Sequence, residues 1–128
     1  MNKKLSTNFE SWEFDSPDSI GSGVNISPIL IYRLQNLRTA YKKPIYINSG
    51  VRTPARNKLV GGLSDSSHLI FLAVDIEVLT SADRFLLISL ALQVGFNRIG
   101  IGRKMLHFDI DADKPQNMIW TYYPKISE

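Results

Sequence analysis

Two stretches decide the fold: residues 66–75, which read SSHLIFLAVD, and residues 106–109, which read LHFD. They hold both histidines of the chain, His68 and His107, and each histidine is followed by an aspartate in otherwise apolar surroundings. On a helix, the gap from His68 to Asp75 would place the two side chains on one face but about 10 Å apart, too far for two ligands of one ion. We therefore expect His68 to lie in a loop that runs into a buried strand.

The residues around both aspartates alternate in polarity. In the apolar run at residues 72–78, Asp75 and Glu77 alternate with Val74, Ile76 and Val78, and residues 105–111 place His107, Asp109 and Asp111 on one side. A period of two indicates a strand in each stretch. Two such strands, each presenting polar side chains from one face, would bring a small cluster of ligands together.

Two imidazoles and one carboxylate, those of His68, His107 and Asp75, form the candidate metal site. Three nitrogen and oxygen ligands with a fourth position open are typical of catalytic zinc, and the chain has no cysteine to close a structural site. The alternative is that each histidine is an ordinary surface or hydrogen-bonded residue, because a His-x-Asp pattern alone is a weak signal. An aspartate within an apolar strand favours the metal, since a buried carboxylate is unfavourable unless it is paired or metal-bound.

Several motifs occur along the chain in a fixed order. The main ones are Ser66-x-His68, Ala73-x-Asp75, His107-x-Asp109 and, upstream, NSGVRTP at residues 48–54. This order resembles the peptidase M15 family of zinc D,D-peptidases, which act on bacterial cell-wall peptides; the upstream block is similar to the family's Ser-Gly-Tyr-Arg-Ser/Thr-Pro, with Val51 in place of the tyrosine. Shorter matches extend the resemblance over nearly the whole chain, at residues 8–9, 13–14, 57, 60–62, 95–96, 99–102 and 120–122.

The resemblance implies an α+β fold of the kind shared by D,D-peptidases and the Hedgehog signalling domain, with two main helices packed on a small antiparallel sheet. It implies Zn²⁺ held by His68, Asp75 and His107. It also implies that Arg52 engages the substrate near the scissile bond, where a guanidinium can hold a carboxylate or a developing oxyanion. Ser66 matches a serine that contacts substrate, although it could equally serve only to orient its own loop.

Two residues depart from the family pattern. Many members carry Glu or Asp three residues before the last histidine as the catalytic base, and here that position is Lys104. Asp109 is the nearest substitute because it shares a strand face with His107, but it could equally support His107 as a hydrogen-bond partner; Glu77 is a weaker candidate. Phe71 stands where the family usually has glycine, and we expect it to narrow the cleft or to alter the loop.

Capping signals and hydrophobic periodicity predict the remaining elements. A first helix begins at Ser27-Pro28 and ends at Lys42-Lys43. A second long helix runs from Thr80 to about Gln93, and we expect it to be largely buried because it is apolar on most sides. Further predictions are a strand at 44–48, a short helix at 54–59, strands at 98–101 and 105–111 that form a hairpin, and a closing strand at 118–123.

Length and composition limit the class of protein that this chain can be. The 128 residues predict one domain, 1–128, in which residues 1–26 form an extended arm anchored by Phe9, Trp12 and Phe14. The formal net charge of +3 suits an anionic surface such as a cell wall but is too small to argue for nucleic acid. No signal peptide is visible and no apolar run is long enough to insert stably in a membrane. We expect a monomer.

Three functions fit these observations. The first is an active zinc peptidase that cuts peptidoglycan stem peptides, as a D,D-carboxypeptidase or an endopeptidase. Without an export signal, such an enzyme would be made in the cytoplasm and reach the wall as a phage lysis protein, an endolysin. The second is a catalytically inactive wall-binding or virion-associated module that keeps the metal, and the third is a metal-free protein with a decayed site.

Overall fold

A five-stranded sheet carries the residues that the sequence analysis singled out. The computed structural model describes residues 2–122. In chain order the elements are β1 (Lys4–Ser6), β2 (Phe9–Glu10), α1 (Pro28–Tyr41), β3 (Ile47–Ser49), α2 (Pro54–Leu59), β4 (Ala73–Glu77), α3 (Ser81–Gln93), β5 (Arg98–Ile101), β6 (Met105–Asp109) and β7 (Met118–Thr121). Three short 3-10 turns occupy Ser11–Phe14, Ser22–Asn25 and Ser67–Ile70. The α+β class predicted from the sequence is confirmed.

The strands of the main sheet lie in the order β3-β4-β6-β5-β7. Neighbouring strands are antiparallel except for the last pair, because β7 runs parallel to β5. The expectation of an antiparallel sheet is therefore wrong for this strand. The reason is that β4 and β5 already occupy both edges of β6. The chain that reverses after β6 therefore pairs with the outer edge of β5, and a strand antiparallel to β6 is parallel to β5.

The two faces of the sheet differ in chemistry. On one face, aliphatic and aromatic side chains join the hydrophobic core; β4 contributes Val74 and Ile76, and β6 contributes Leu106 and Phe108. Since successive side chains of a strand point to opposite faces, the residues between them face the other way. That second face holds Asp75 and the polar residues of β6.

Helix α1 begins and ends where its capping residues predict. The Ser27 side chain accepts a hydrogen bond from the backbone N–H of Leu30 at 3.4 Å, and Pro28 occupies the first turn. The helix ends at Lys42, whose φ of 62° lies in the left-handed region. One side of the helix buries Leu30, Ile31, Leu34 and Leu37.

Helix α3 has the predicted bounds but not the predicted burial. Leu87 and Ala91 are buried, whereas Phe85 is 76% exposed and Leu92 is 51% exposed. The expectation that this helix is largely buried is wrong, because α3 packs one side against α1 and the core and leaves its other apolar residues at the surface. Within residues 2–122, no helix has the length and apolar character of a membrane span.

The N-terminal segment is more structured than an extended arm. Residues 4–10 form a small hairpin, and two 3-10 turns follow it. Phe9 and Phe14 are buried, as anchors of the core edge should be, but Trp12 is 62% exposed. The backbone N–H of Val51 donates to the carbonyl of Phe14 at 2.8 Å, so this segment supports the chain just before Arg52.

Candidate metal centre

His68 lies in the 3-10 turn that leads into β4. The side chain of Ser66 caps this turn and accepts a hydrogen bond from the backbone N–H of His68 at 3.3 Å. The Oγ of Ser67 donates to Oδ2 of Asp111 at 2.7 Å and so fastens the turn to the residues after β6. These bonds hold the imidazole of His68 against the sheet, where the residue is only 2% exposed.

The pairing of β4 with β6 places the other two predicted ligands side by side. Asp75 and His107 are direct partners across the two strands. Because both face away from the hydrophobic core, their side chains meet on the polar face of the sheet. The turn that carries His68 reaches the same place.

The three predicted ligands converge on one point. Oδ1 of Asp75 lies 3.2 Å from Nε2 of His68 and 2.8 Å from Nδ1 of His107. One ligand atom from each residue lies within 4.8 Å of the other two, and all three residues are buried.

Hydrogen bonds on the far side of each imidazole fix which nitrogen faces this point. Nδ1 of His68 lies 2.7 Å from the carbonyl oxygen of Gly50, which can only accept, so Nδ1 carries a hydrogen. Nε2 of His107 lies 2.8 Å from Oδ2 of Asp109, a carboxylate, so Nε2 carries a hydrogen. In the neutral imidazoles, the lone pairs of the remaining two nitrogens therefore point at the oxygen of Asp75.

Three electron-pair donors that face each other require a positive charge among them. In the metal-free protein, a proton can supply this charge. Burial alone would lower the pKa of His107, but hydrogen bonds to Asp109 and Asp75 raise it above its ordinary value. Two imidazole nitrogens and one carboxylate oxygen, each with its partner outside the site, are the donor set of a catalytic zinc site. The residues present thus fit a divalent ion of the zinc type.

Arg52 borders the three ligands and is held by several bonds. Its Nη2 lies 3.1 Å from Oδ2 of Asp75, while Nε donates to Oγ of Ser49 at 3.0 Å and Nη1 to Oδ1 of Asn57 at 3.3 Å. The arginine thus engages only the Asp75 oxygen that faces away from the two imidazoles. Burial alone would raise the pKa of Asp75, but its interactions with His107 and His68 hold it well below its ordinary value.

Both oxygens of Asp109 are engaged within the protein. Oδ2 faces His107, and Oδ1 accepts from Nε of Arg98 at 2.6 Å and from the backbone N–H of Asp111 at 3.2 Å. Burial alone would raise the pKa of Asp109, but hydrogen bonds from His107 and Arg98 lower it. With the residue only 1% exposed, this arrangement favours support of His107 over action as a general base.

Comparison with protein families agrees with this site. The sequence model of the family described as Peptidase M15 matches residues 8–111, which include Arg52 and all three convergent residues. The chain belongs to the peptidase M15 family. A comparison with curated proteins gave no match. Membership of the M15 family indicates a metallopeptidase, in agreement with the His-Asp-His group.

The site of this M15 peptidase opens into a cleft of about 870 Å³. The polar face of the sheet forms its floor, and the loop at residues 60–67 lines one side. Ser66 lines the cleft as well as capping the His68 turn, so both roles considered for it are compatible with its position.

Neither residue that departs from the M15 pattern is among the residues lining this cleft. Of the two effects expected of Phe71, a narrower cleft or an altered loop, its position therefore fits the second. Phe71 ends the His68 turn with a φ of 68°, in the left-handed region that glycine adopts without strain. The local backbone explains why glycine suits this position, and Phe71 alters the conformational preference of the loop instead of the shape of the cleft.

Sequence reasoning missed three residues of this M15 site. Arg98 is buried beside Asp109, and its guanidinium also lies 4.9 Å from the ring centre of Trp120. Trp120 and Tyr122 line the cleft next to His107, at ring-centre distances of 5.6 and 6.3 Å. A signal was present, because the predicted strand at 118–123 puts positions 120 and 122 on one face. The observed strand is Met118–Thr121, and residue 123 lies outside the described residues. Which face of the sheet positions 120 and 122 occupy depends on the pairing of β7 with β5.

Proposed function

We propose that this M15 family member is a zinc-dependent peptidase that hydrolyses the stem peptides of bacterial peptidoglycan, as a D,D-carboxypeptidase or as an endopeptidase. His68, Asp75 and His107 are the proposed metal ligands. A role in phage lysis, with the protein made in the cytoplasm and acting on the wall, is a further part of the proposal and rests on the resemblance noted above.

One observation carries the proposal: the lone pairs of two buried imidazoles and one carboxylate point at the same place, and each imidazole has its other nitrogen satisfied. Gly50 and Asp109 provide those outer hydrogen bonds. Such outer partners fix the tautomer and ring orientation of metal-binding histidines. In a purely structural cluster, each lone pair would face the hydrogen of a donor, and three lone pairs would not point at one another.

The chain supplies binding and charge stabilisation around this centre. When bound, zinc would acidify a water molecule and polarise the scissile carbonyl. Arg52 lines the cleft with its guanidinium fixed by Ser49, Asn57 and Asp75, so it is ready to hold a substrate carboxylate or the charge that develops on the carbonyl oxygen. Asp109 is proposed as a positioning residue that keeps the imidazole of His107 in the required tautomer.

The charges of the cleft support an anionic peptide as substrate. The cleft is lined by the four cationic side chains of Arg52, Arg98, Arg103 and Lys114 and by the three carboxylates of Asp65, Asp75 and Asp109, an excess of one positive charge before any metal ion is added. Stem peptides carry free carboxylates, and opposite charge favours their capture. The formal net charge of +3 acts in the same direction toward an anionic wall.

A second candidate is a catalytically inactive module that binds the wall and keeps the metal. The observation in its favour is Lys104, which occupies the place of the acidic base that many M15 members use. Asp109, the nearest substitute, already has both oxygens engaged.

Incubation of purified peptidoglycan with the wild-type protein, with His107→Ala and with Asp113→Asn separates the two candidates. Asp113 is exposed on the turn after β6 and serves as the control. We expect wild type and Asp113→Asn to release free amino groups, and His107→Ala or a chelator to abolish the release. Equal release by wild type and His107→Ala would rule out the peptidase. Zinc binding and wall binding without any release would instead identify the inactive module.

A further inference from the structure

Tyr122 lines the cleft from the other edge of the sheet to Arg52, because Tyr122 follows β7 and Arg52 follows β3, the two edge strands. It follows β7 directly, and its backbone N–H donates to the carbonyl of Ile101 at 2.9 Å. Its ring lies edge-on to that of His107, with 6.3 Å between the ring centres. Tyr122 lines the same cleft as Asp75, Asp109 and Arg52.

A glycine makes this position possible. Gly100 is the direct partner of His107 on one side and of Trp120 on the other. A Cβ atom built on Gly100 would lie 2.8 Å from Nε1 of Trp120 and 2.9 Å from the hydroxyl oxygen of Tyr122. Both polar atoms therefore lie directly over the bare backbone of β5, and any side chain at residue 100 would displace them from the metal centre.

Trp120 restricts the direction of the Tyr122 hydroxyl. Nε1 of Trp120 and the hydroxyl oxygen of Tyr122 both lie over the backbone of Gly100. Because the indole N–H can only donate, the phenol oxygen can meet it only as an acceptor. A phenol also carries its own hydrogen at neutral pH, so the O–H of Tyr122 can donate to a group in the cleft.

We propose that Tyr122 is a further catalytic residue, whose hydroxyl donates a hydrogen bond to the scissile carbonyl oxygen as negative charge develops on it. This inference rests on the proposed peptidase function. Arg52 and Tyr122 then supply two donors from opposite sides of the same space. Trp120 is a positioning residue that holds the phenol oxygen, and Gly100 provides the room for both rings.

The direct test is Tyr122→Phe, which removes one oxygen and keeps the ring. Tyr46→Phe is the matched control, because Tyr46 is 63% exposed and is not among the residues lining the cleft. Since a donor that acts on developing charge contributes to the transition state, we expect kcat of Tyr122→Phe to fall by about 10²-fold while KM stays within about twofold. Trp120→Phe should lower kcat in the same direction by a smaller factor.

Two measurements that do not depend on turnover accompany the kinetics. Calorimetric titration of the zinc-loaded proteins with a phosphinate pseudopeptide ending in D-alanine should show an affinity loss of about 10²-fold in Tyr122→Phe and none in Tyr46→Phe. Zinc affinity, measured by competition with a chromophoric chelator, should be the same in all of these proteins.

Wild-type phosphinate affinity in Tyr122→Phe would overturn the proposal, and so would a loss of zinc affinity, which would assign the hydroxyl to the metal centre instead of the substrate. If the wild type binds the phosphinate but releases no amino groups from peptidoglycan, the substrate assignment fails while the Tyr122 comparison still decides this proposal. If the wild type binds neither zinc nor the phosphinate, both proposals fail together.

Discussion

The carboxylate of Asp109 and the imidazole of His107 lie two residues apart on one strand, with Oδ2 2.8 Å from Nε2. Alternation along β6 puts both side chains on the polar face of the sheet. The other oxygen of Asp109 is held by Arg98, so the carboxylate cannot turn away. This pair decides that Nδ1 of His107, and not Nε2, faces Asp75.

Replacing Asp109 tests this support. Asp109→Asn should bind zinc about 10- to 100-fold more weakly, because an amide is a poorer acceptor for the imidazole N–H and no longer fixes the tautomer. Zinc affinity by chelator competition is the measurement. Wild-type affinity in this variant would contradict the role given to Asp109.

Asp109 also stabilises the fold through its ion pair with Arg98, and Asp109→Ala tests this second role. Truncation leaves the guanidinium of Arg98, whose side chain is 9% exposed, without its carboxylate partner. A buried charge that loses its partner typically destabilises a protein by about 3–5 kcal/mol. The free energy of unfolding from urea titration of the metal-free proteins should therefore fall more in Asp109→Ala than in Asp109→Asn, which still accepts a hydrogen bond from Arg98.

Arg52→Lys tests the proposed substrate contact. Lysine keeps the positive charge but cannot bond Ser49, Asn57 and Asp75 at once as the guanidinium does. We expect one zinc per chain to be retained and kcat/KM to fall by about 10²-fold. Arg38→Lys, a like change on helix α1, is the control. A variant with full activity would remove Arg52 from the catalytic site.

The metal-free and zinc-loaded proteins should differ in how stability depends on pH. The pKa of His107 is raised in the folded protein, so its contribution in the metal-free protein is complete below about pH 6.5 and is lost as the pH rises through the raised value. The pKa of Asp109 is lowered, so its contribution is present above about pH 4 and is lost on further acidification. Metal-free stability should therefore be greatest between these limits.

If zinc binds as proposed, it should reverse the trend on the alkaline side, because the ion would replace the proton on His107 and would bind more tightly once protons no longer compete for the ligands. Thermal unfolding between pH 6 and 8 should show a falling Tm without zinc and a rising Tm with it. Parallel curves with and without the ion would contradict this assignment.

Position 71 tests the explanation of an unusual phenylalanine. Phe71→Ala and Phe71→Gly remove nearly the same side-chain atoms, but only glycine adopts a φ of 68° without strain. We expect the glycine variant to be more stable than the alanine variant by about 1 kcal/mol, measured by urea unfolding. If alanine proved the more stable, the left-handed conformation at this turn would be in doubt.

Much of the fold follows from local signals in the sequence. The proline and capping residues at Pro28, Pro54 and Thr80 set the starts of three helices, and alternation located β4 and β6. Because the chain has two histidines and each precedes an aspartate, the ligand set was also a local inference.

The remaining features depend on contacts between distant parts of the chain. Periodicity could not show that β7 would pair with β5 in parallel and bring Trp120 and Tyr122 beside His107. Periodicity also could not show which side of α3 stays exposed. Apolar residues lie on most sides of this helix, so its sequence does not reveal which of them pack against other elements. The choice between two roles for Asp109 required the position of Arg98, which lies on β5.

Anomalous scattering at the zinc absorption edge, from a crystal grown with zinc, tests the central claim most directly. We predict one strong peak bonded to Nε2 of His68, Oδ1 of Asp75 and Nδ1 of His107, with an open position toward the cleft. A crystal that shows these three side chains joined only by hydrogen bonds, with zinc elsewhere or absent, would contradict the account.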